Sequence, residues 1–215
     1  AVPGCVETAQ WLREFQLAGK IDRLSLTNFN TGKTAELLAA GIPLTTTQVQ
    51  YSLLDARPAK TLVGLCETHG MHLLCYGTLA GGFLGERWLD AADPLLDAVG
   101  LENRSLTKYR LMIEEIGGWD LFQALLHALR QVGERHGVSI ASVASRWVLE
   151  QPRVAAVIIG SRNAAHLARY TELFAFQLTA ADYAIIDTVR RDMAVPAMDV
   201  FDLERDTSGR HGRVM

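Results

Sequence analysis

Short apolar runs and longer stretches with an apolar residue at every third or fourth position take turns along this chain. Strands are predicted at residues 21–26, 45–51, 71–76 and 154–159, each of them short and bounded by turn-forming residues. The helical pattern lies between and around them. Val6, Ala9, Leu12 and Phe15 share one face of a helix that stops at Gly19. Residues 31–40 predict a second helix, with Gly41 as its C-terminal signal and Pro43 behind it. Pro58 opens a third, with Leu62, Val63, Leu65 and Cys66 on its apolar face and its end near His69 and Gly70. Leu121, Phe122, Leu125, Leu126 and Leu129 mark another. Ile140, Val143, Ala144, Trp147 and Val148 then repeat at helical spacing before Pro152, which makes Trp147 a core residue. Thr179 and Asp182 have capping-box spacing at the head of a last helix through Val189.

The first three strands recur at about 25 residues, the period of repeated β-α units that cannot stand alone. After Gly85 the rhythm breaks. Residues 85–118 form a mixed-polarity insertion with Trp88, Pro94, Tyr109 and Gly117-Gly118, and residues 192–215 form a charged, irregular tail. No linker divides the chain, so residues 1–215 are expected to be a single α/β domain. Four strand-helix units are half of an eight-stranded TIM (β/α)8 barrel. The chain starts at Ala1 and enters a helical pattern almost at once, which predicts a partial rather than a complete chain.

Composition narrows the function. The chain of 215 residues is 49% hydrophobic and 21% charged, with a formal charge of −3. No basic stripe suggests a nucleic-acid partner, no apolar run is long enough to span a membrane, and no signal peptide opens the chain. A cytoplasmic location is the expectation. Cys5, Cys66 and Cys75 lack metal-ligand spacing, so no metal site is expected, and Cys66 and Cys75 read as reduced core residues.

Candidate chemistry gathers where the strands end, the edge on which barrel sites form. Thr27 and Asn28 follow the first strand. Gln48 lies inside the second, where an amide needs a partner. Tyr76 ends the third and is followed by Gly77, Thr78, Leu79, Gly81 and Gly82, whose glycines let backbone approach a ligand closely. Gly160-Ser161-Arg162-Asn163 ends the fourth, combining N–H groups with a guanidinium as a phosphomonoester requires. Together these suit a dinucleotide: amides for its carboxamide, an aromatic face for its ring, N–H groups and a cation for its phosphates. Each residue also has a plainer reading, as a helix cap, a core aromatic or a turn glycine. The glycine loop matches neither the Rossmann fingerprint nor the Walker phosphate loop.

Thr27-Asn28-Phe29, Gln48-Val49-Gln50-Tyr51, the run Tyr76–Leu84 and Ile158-Ile159-Gly160-Ser161-Arg162 resemble, in order, the C-terminal portion of an aldo/keto reductase, over roughly residues 5–190. The resemblance implies the second half of the barrel. It implies that Thr27, Asn28 and Gln48 hold the nicotinamide carboxamide, that Tyr76 stacks on the ring, and that Gly77, Thr78, Leu79, Gly81 and Gly82 follow the pyrophosphate. Ser161, Arg162, Asn163 and His166 would meet the adenosine 2′-phosphate. NADP is the implied cofactor, with NAD as the alternative because a neutral imidazole at His166 is a weaker phosphate partner than a guanidinium.

Thr27 stands where the family usually has Ser, and the hydroxyl survives. The family's Tyr, Lys, Asp and His tetrad has no matching position, so no catalytic residue is assigned, and Tyr51, Tyr76, Lys20 and Lys60 do not fill the role. The implied function is reduction of a small-molecule aldehyde or ketone, with the acid–base residues in a missing N-terminal half of the barrel. A catalytically silent nucleotide-binding barrel acting as a regulatory subunit is the alternative. Trp88, Tyr109, Trp119 and Phe201 offer an apolar wall for the substrate, or else pack the insertion against the barrel.

Overall fold

A computed structural model describes residues 4–94, 101, 104–160 and 170–214. Its strands are β1 (Leu24–Thr27), β2 (Leu44–Gln50), β3 (His72–Tyr76) and β4 (Val154–Ile158). They pair in chain order, every pair parallel, in one sheet. The helices are α1 (Cys5–Leu17), α2 (Thr31–Ala39), α3 (Leu62–His69), α4 (Arg104–Ile116), α5 (Trp119–His136), α6 (Ile140–Leu149), α7 (Ala180–Arg190) and the short α8 (Asp202–Arg205). Parallel neighbours need a crossover, and the helices provide it.

Register divides the sheet into two unlike faces. Leu26, Thr47 and Leu73 align on one face, as do Val49, Cys75 and Val157. Thr47, Val49, Leu73 and Cys75 are buried there, where α1, α3 and α6 pack. The other face carries Ser25 beside Thr46, then Thr27, Gln48 and Leu74 in line, then Gln50, Tyr76 and Ile158. Ser25 and Thr27 are exposed, Thr46, Gln48, Leu74 and Tyr76 are half-buried, and Ile158 is 41% exposed. A parallel sheet is normally covered on both faces. One covered face and one open face, with flanking helices on the covered side, are consistent with roughly half of a (β/α)8 barrel.

Local signals account for most element ends. The Asn30 side chain accepts from Lys33 N–H at the head of α2, and Ser139 accepts from Ser142 N–H at the head of α6. Thr179 and Asp182 form the capping box expected from their spacing. Trp147 is fully buried, with the Arg190 guanidinium 4.5 Å from its ring centre.

The structure differs from the sequence reading in particulars. Pro58 belongs to a separate 3-10 turn, Arg57–Ala59, and α3 starts only at Leu62. Much of the 85–118 insertion is the helix α4, and the tail contains α8. On α1, Val6 and Ala9 pack against the core, but Leu12 and Phe15 are 41% and 46% exposed, and Trp11 is 63% exposed.

Candidate functional site

A cleft of about 750 Å³ opens at the C-terminal ends of β3 and β4. Tyr76, Gly77, Thr78, Leu79, Gly81 and Gly82 line one side, Ser105 and Tyr109 of α4 another. The head of α6, residues 158–160 and Tyr170 complete it. Topology explains the gathering: parallel strands deliver all their C-terminal ends to one edge, and the following turns must leave from there. Gly160 reaches the cleft, and its carbonyl accepts from Tyr170 Oη–H at 2.9 Å. Ser161, Arg162, Asn163 and His166 lie outside the described residues.

The glycine loop is tight for a reason internal to the protein. Gly77 has φ of 70°, and a Cβ there would lie 2.2 Å from Tyr109 Oη. At Gly81, with φ of 67°, a Cβ would lie 2.9 Å from Tyr109 Cδ2. The glycines thus admit α4 against the loop, a packing role beyond the ligand approach or chain turning expected from the sequence. Thr78 is buried, with its Oγ1 3.4 Å from Ser145 Oγ. The N–H groups of Thr78 and Leu79 donate to no backbone carbonyl among the described residues.

Asn28 and Tyr76 meet directly: Tyr76 Oη–H donates to Asn28 Oδ1 at 2.7 Å. Asn28 sits in the left-handed region at φ 59°, which Asn tolerates better than most side chains. Its N–H donates to the Gln48 carbonyl at 3.0 Å. No hydrogen bond from Asn28 Nδ2 occurs among the described residues. Thr27 is exposed beside it, and Gln48 is half-buried, aligned between Thr27 and Leu74. Burial first, then the carboxylates of Glu204 and Asp55, push the Tyr76 phenol up to about 12. At neutral pH Tyr76 therefore offers a neutral ring and a hydrogen-bond donor rather than a ready source of protons.

Beside this pair lies a buried ion network that sequence reasoning missed. Arg57 Nε and Nη2 each lie 2.8 Å from a carboxylate oxygen of Asp55, and Nη2 lies 2.7 Å from Glu204 Oε1. Each of these three side chains is 1% exposed. Lys108 Nζ is 3.6 Å from Glu204 Oε1, and Gln50 Nε2–H donates to Asp55 Oδ2 at 2.6 Å. Burial opposes ionisation of Glu204, but Arg57 and Lys108 outweigh it and hold that carboxyl below its ordinary range. Burial also pulls the Lys108 ammonium below its usual range. The sequence offered one signal, Asp55 and Arg57 two apart in a loop after a strand. The partner Glu204 is 147 positions away from Arg57.

The proposed aromatic wall divides. Tyr109 lines the cleft, but Trp88 and Trp119 pack with Phe83 and Phe122 in a cluster outside its lining. Phe201 lies under the Arg205 guanidinium, 4.9 Å from ring centre to Cζ. Among the described residues, no group of three or more His, Cys, Asp or Glu is placed to hold a metal, and no helix is long and apolar enough to cross a membrane.

Comparison with known proteins agrees with this fold. The flagellar radial spoke protein 5 of Chlamydomonas reinhardtii is 31% identical over 133 residues, which cover 61% of this chain and 25% of that protein. The aldo-keto reductase YhdN of Bacillus subtilis (strain 168) is 25% identical over 187 residues, 85% of this chain and 53% of that one. An aldo/keto reductase from Klebsiella pneumoniae, crystallised in complex with NADP and acetate, superposes with a TM-score of 0.62 at 17% identity. That match covers 93% of this chain and 58% of the Klebsiella chain. The chain therefore spans about half the length of the reductases it matches, and a smaller share of the spoke protein. The profile of the Aldo/keto reductase family matches residues 3–191, and the chain belongs to that family.

Proposed function

We propose that the intact protein is an NADP-dependent oxidoreductase that reduces an aldehyde or ketone to the alcohol, and that this chain supplies the shelf for the dinucleotide. The observation that carries the reading is the Tyr76–Asn28 hydrogen bond at the edge of a cleft that continues along Gly77–Gly82 to Gly160. The cleft's volume is within the ordinary range for small-molecule sites, roughly 300–1,000 Å³. In this reading Thr27, Asn28 and Gln48 hold the carboxamide, with Asn28 Nδ2–H as donor to its oxygen. Tyr76 presents its ring to the nicotinamide. The N–H groups of Thr78 and Leu79, in the loop with Gly77, Gly81 and Gly82, face the pyrophosphate, and Ser161, Arg162, Asn163 and His166 receive the 2′-phosphate.

When bound, the reduced dinucleotide supplies a hydride to the carbonyl carbon. Protonation of the oxygen falls to groups outside this chain, in the N-terminal half of the barrel that the open sheet face would receive. NAD is the alternative cofactor. The test is a titration of the intact protein with NADPH, read by quenching of protein fluorescence, repeated with Arg162→Ala. No binding by the parent would remove the oxidoreductase reading, and equal affinity in the variant would remove only the role of Arg162.

A second reading, a silent nucleotide-binding barrel in a larger assembly, is favoured by the 31% identity to a radial spoke protein. In the intact protein, a Tyr and a Lys at the ends of earlier strands would support the enzyme, and other residues there would support the silent barrel.

A further inference from the structure

The tail after α7 returns to the C-terminal edge of the sheet and is tied down at several points. Asp199 accepts from Thr31 N–H at 2.7 Å and from Thr31 Oγ1–H at 3.0 Å. Asp202 accepts from Asn30 Nδ2–H at 2.8 Å. Glu204 is held by Arg57 in the buried network, and Arg57 Nη1–H also reaches the Asp199 carbonyl at 3.3 Å. One residue beyond Glu204, Arg205 Nη2–H donates to the backbone carbonyl of Asn28 at 3.0 Å. The Phe201 ring under its guanidinium limits where that side chain can go.

Asn28 is therefore restrained on three sides. Its N–H is bonded to Gln48, its Oδ1 to Tyr76 and its carbonyl to Arg205. A left-handed Asn at the end of a short strand has neighbouring backbone states available to it, and three directional bonds select one of them. We propose that Arg205, anchored through the neighbouring Glu204–Arg57 pair, is a positioning residue that aims the Asn28 amide at the nicotinamide carboxamide. The inference rests on the dinucleotide reading above and extends it to a residue of the tail that lies outside the family profile's match.

The experiment compares two ligands on the intact protein: NADPH, and 2′-phospho-ADP-ribose, which lacks only the nicotinamide. Arg205 is exposed, so Arg205→Ala is expected to keep its fold, and its melting temperature verifies this. The variant should bind NADPH roughly three- to tenfold more weakly, the effect of losing one ordinary, solvent-exposed hydrogen bond. Its affinity for 2′-phospho-ADP-ribose should be unchanged, and Arg205→Lys should restore part of the loss. Equal weakening of both ligands, or none of either, would overturn the positioning role while leaving the dinucleotide reading intact. A parent that binds neither ligand would overturn both.

Discussion

Gly77→Ala is the sharpest test of how the cleft is built. The new methyl would sit 2.2 Å from Tyr109 Oη, with Gln50 Cγ at 3.3 Å on another side. Tyr109 is only 5% exposed and wedged in the core, so its hydroxyl has little room to retreat. The backbone adds a second cost, since φ is 70° there. Left-handed strain on an L-residue is about 1–2 kcal/mol, and overpacking a well-filled site adds about 1–3 kcal/mol. The expected destabilisation is thus roughly 2–5 kcal/mol, with weaker NADPH binding. Gly70→Ala isolates the backbone component, because φ is 67° and no atom lies within 4 Å of the new Cβ. Adding Tyr109→Phe to Gly77→Ala removes the clashing oxygen and leaves Tyr109 Cζ, at 3.3 Å, as the nearest ring atom. Urea unfolding of the intact protein across this double-mutant cycle should show a favourable coupling of about 1 kcal/mol or more. Equal costs at Gly77 and Gly70, or a cycle without coupling, would refute the packing of α4 on the loop.

Glu204→Gln should cost about 3 kcal/mol at neutral pH by leaving buried Arg57 and Lys108 with one carboxylate. Because the folded Glu204 carboxyl lies below its ordinary range, its stabilisation is present above the unfolded value and is lost as pH falls through the folded one. The gap between parent and variant should therefore shrink in acid, and a pH-independent gap would contradict the assignment. Burial pushes the Cys75 thiol up to about 12 and the Cys66 thiol to about 11, so a thiol reagent should modify neither until the protein unfolds. Prompt labelling of Cys75 in the native protein would contradict that burial. Trp88 packs on Phe83 at 4.5 Å, outside the cleft lining, so Trp88→Ala should lower the melting temperature without changing relative efficiency across a panel of aldehydes. Selective loss with bulky apolar aldehydes would place Trp88 in the pocket after all.

The strands were legible because each is a short segment bounded by turn-forming residues, and the observed ends fall within a few residues of the expected ones. The same holds for Trp147 on α6, where the helical spacing is unbroken. Helix α4 was not legible, and its residues show why. Arg110 occupies a buried position on it, made tolerable by two hydrogen bonds to Asp93 at 2.8 and 2.6 Å, so a charge interrupts the apolar period. The α1 stripe was read correctly as a pattern, yet only Val6 and Ala9 of it pack against the core. The strand-end rule singled out Asn28 and Tyr76 separately, and the structure joins them by a hydrogen bond. Nothing in the sequence around Pro58 marks Arg57 as buried. Its burial depends on Glu204, and no local pattern can announce a pairing closed by the tail.

The proposed function requires this cleft to hold a dinucleotide used for carbonyl reduction. Aldehyde-dependent oxidation of NADPH by the intact protein, followed by loss of the reduced-nicotinamide absorbance and repeated with Tyr76→Leu and Asn28→Ala, tests it most directly. The parent should turn over, and both variants should lose activity along with NADPH affinity. Tight NADPH binding without turnover of any aldehyde or ketone would favour the silent barrel. Undiminished turnover in both variants would show that the cleft at Tyr76 and Asn28 is not where the dinucleotide binds.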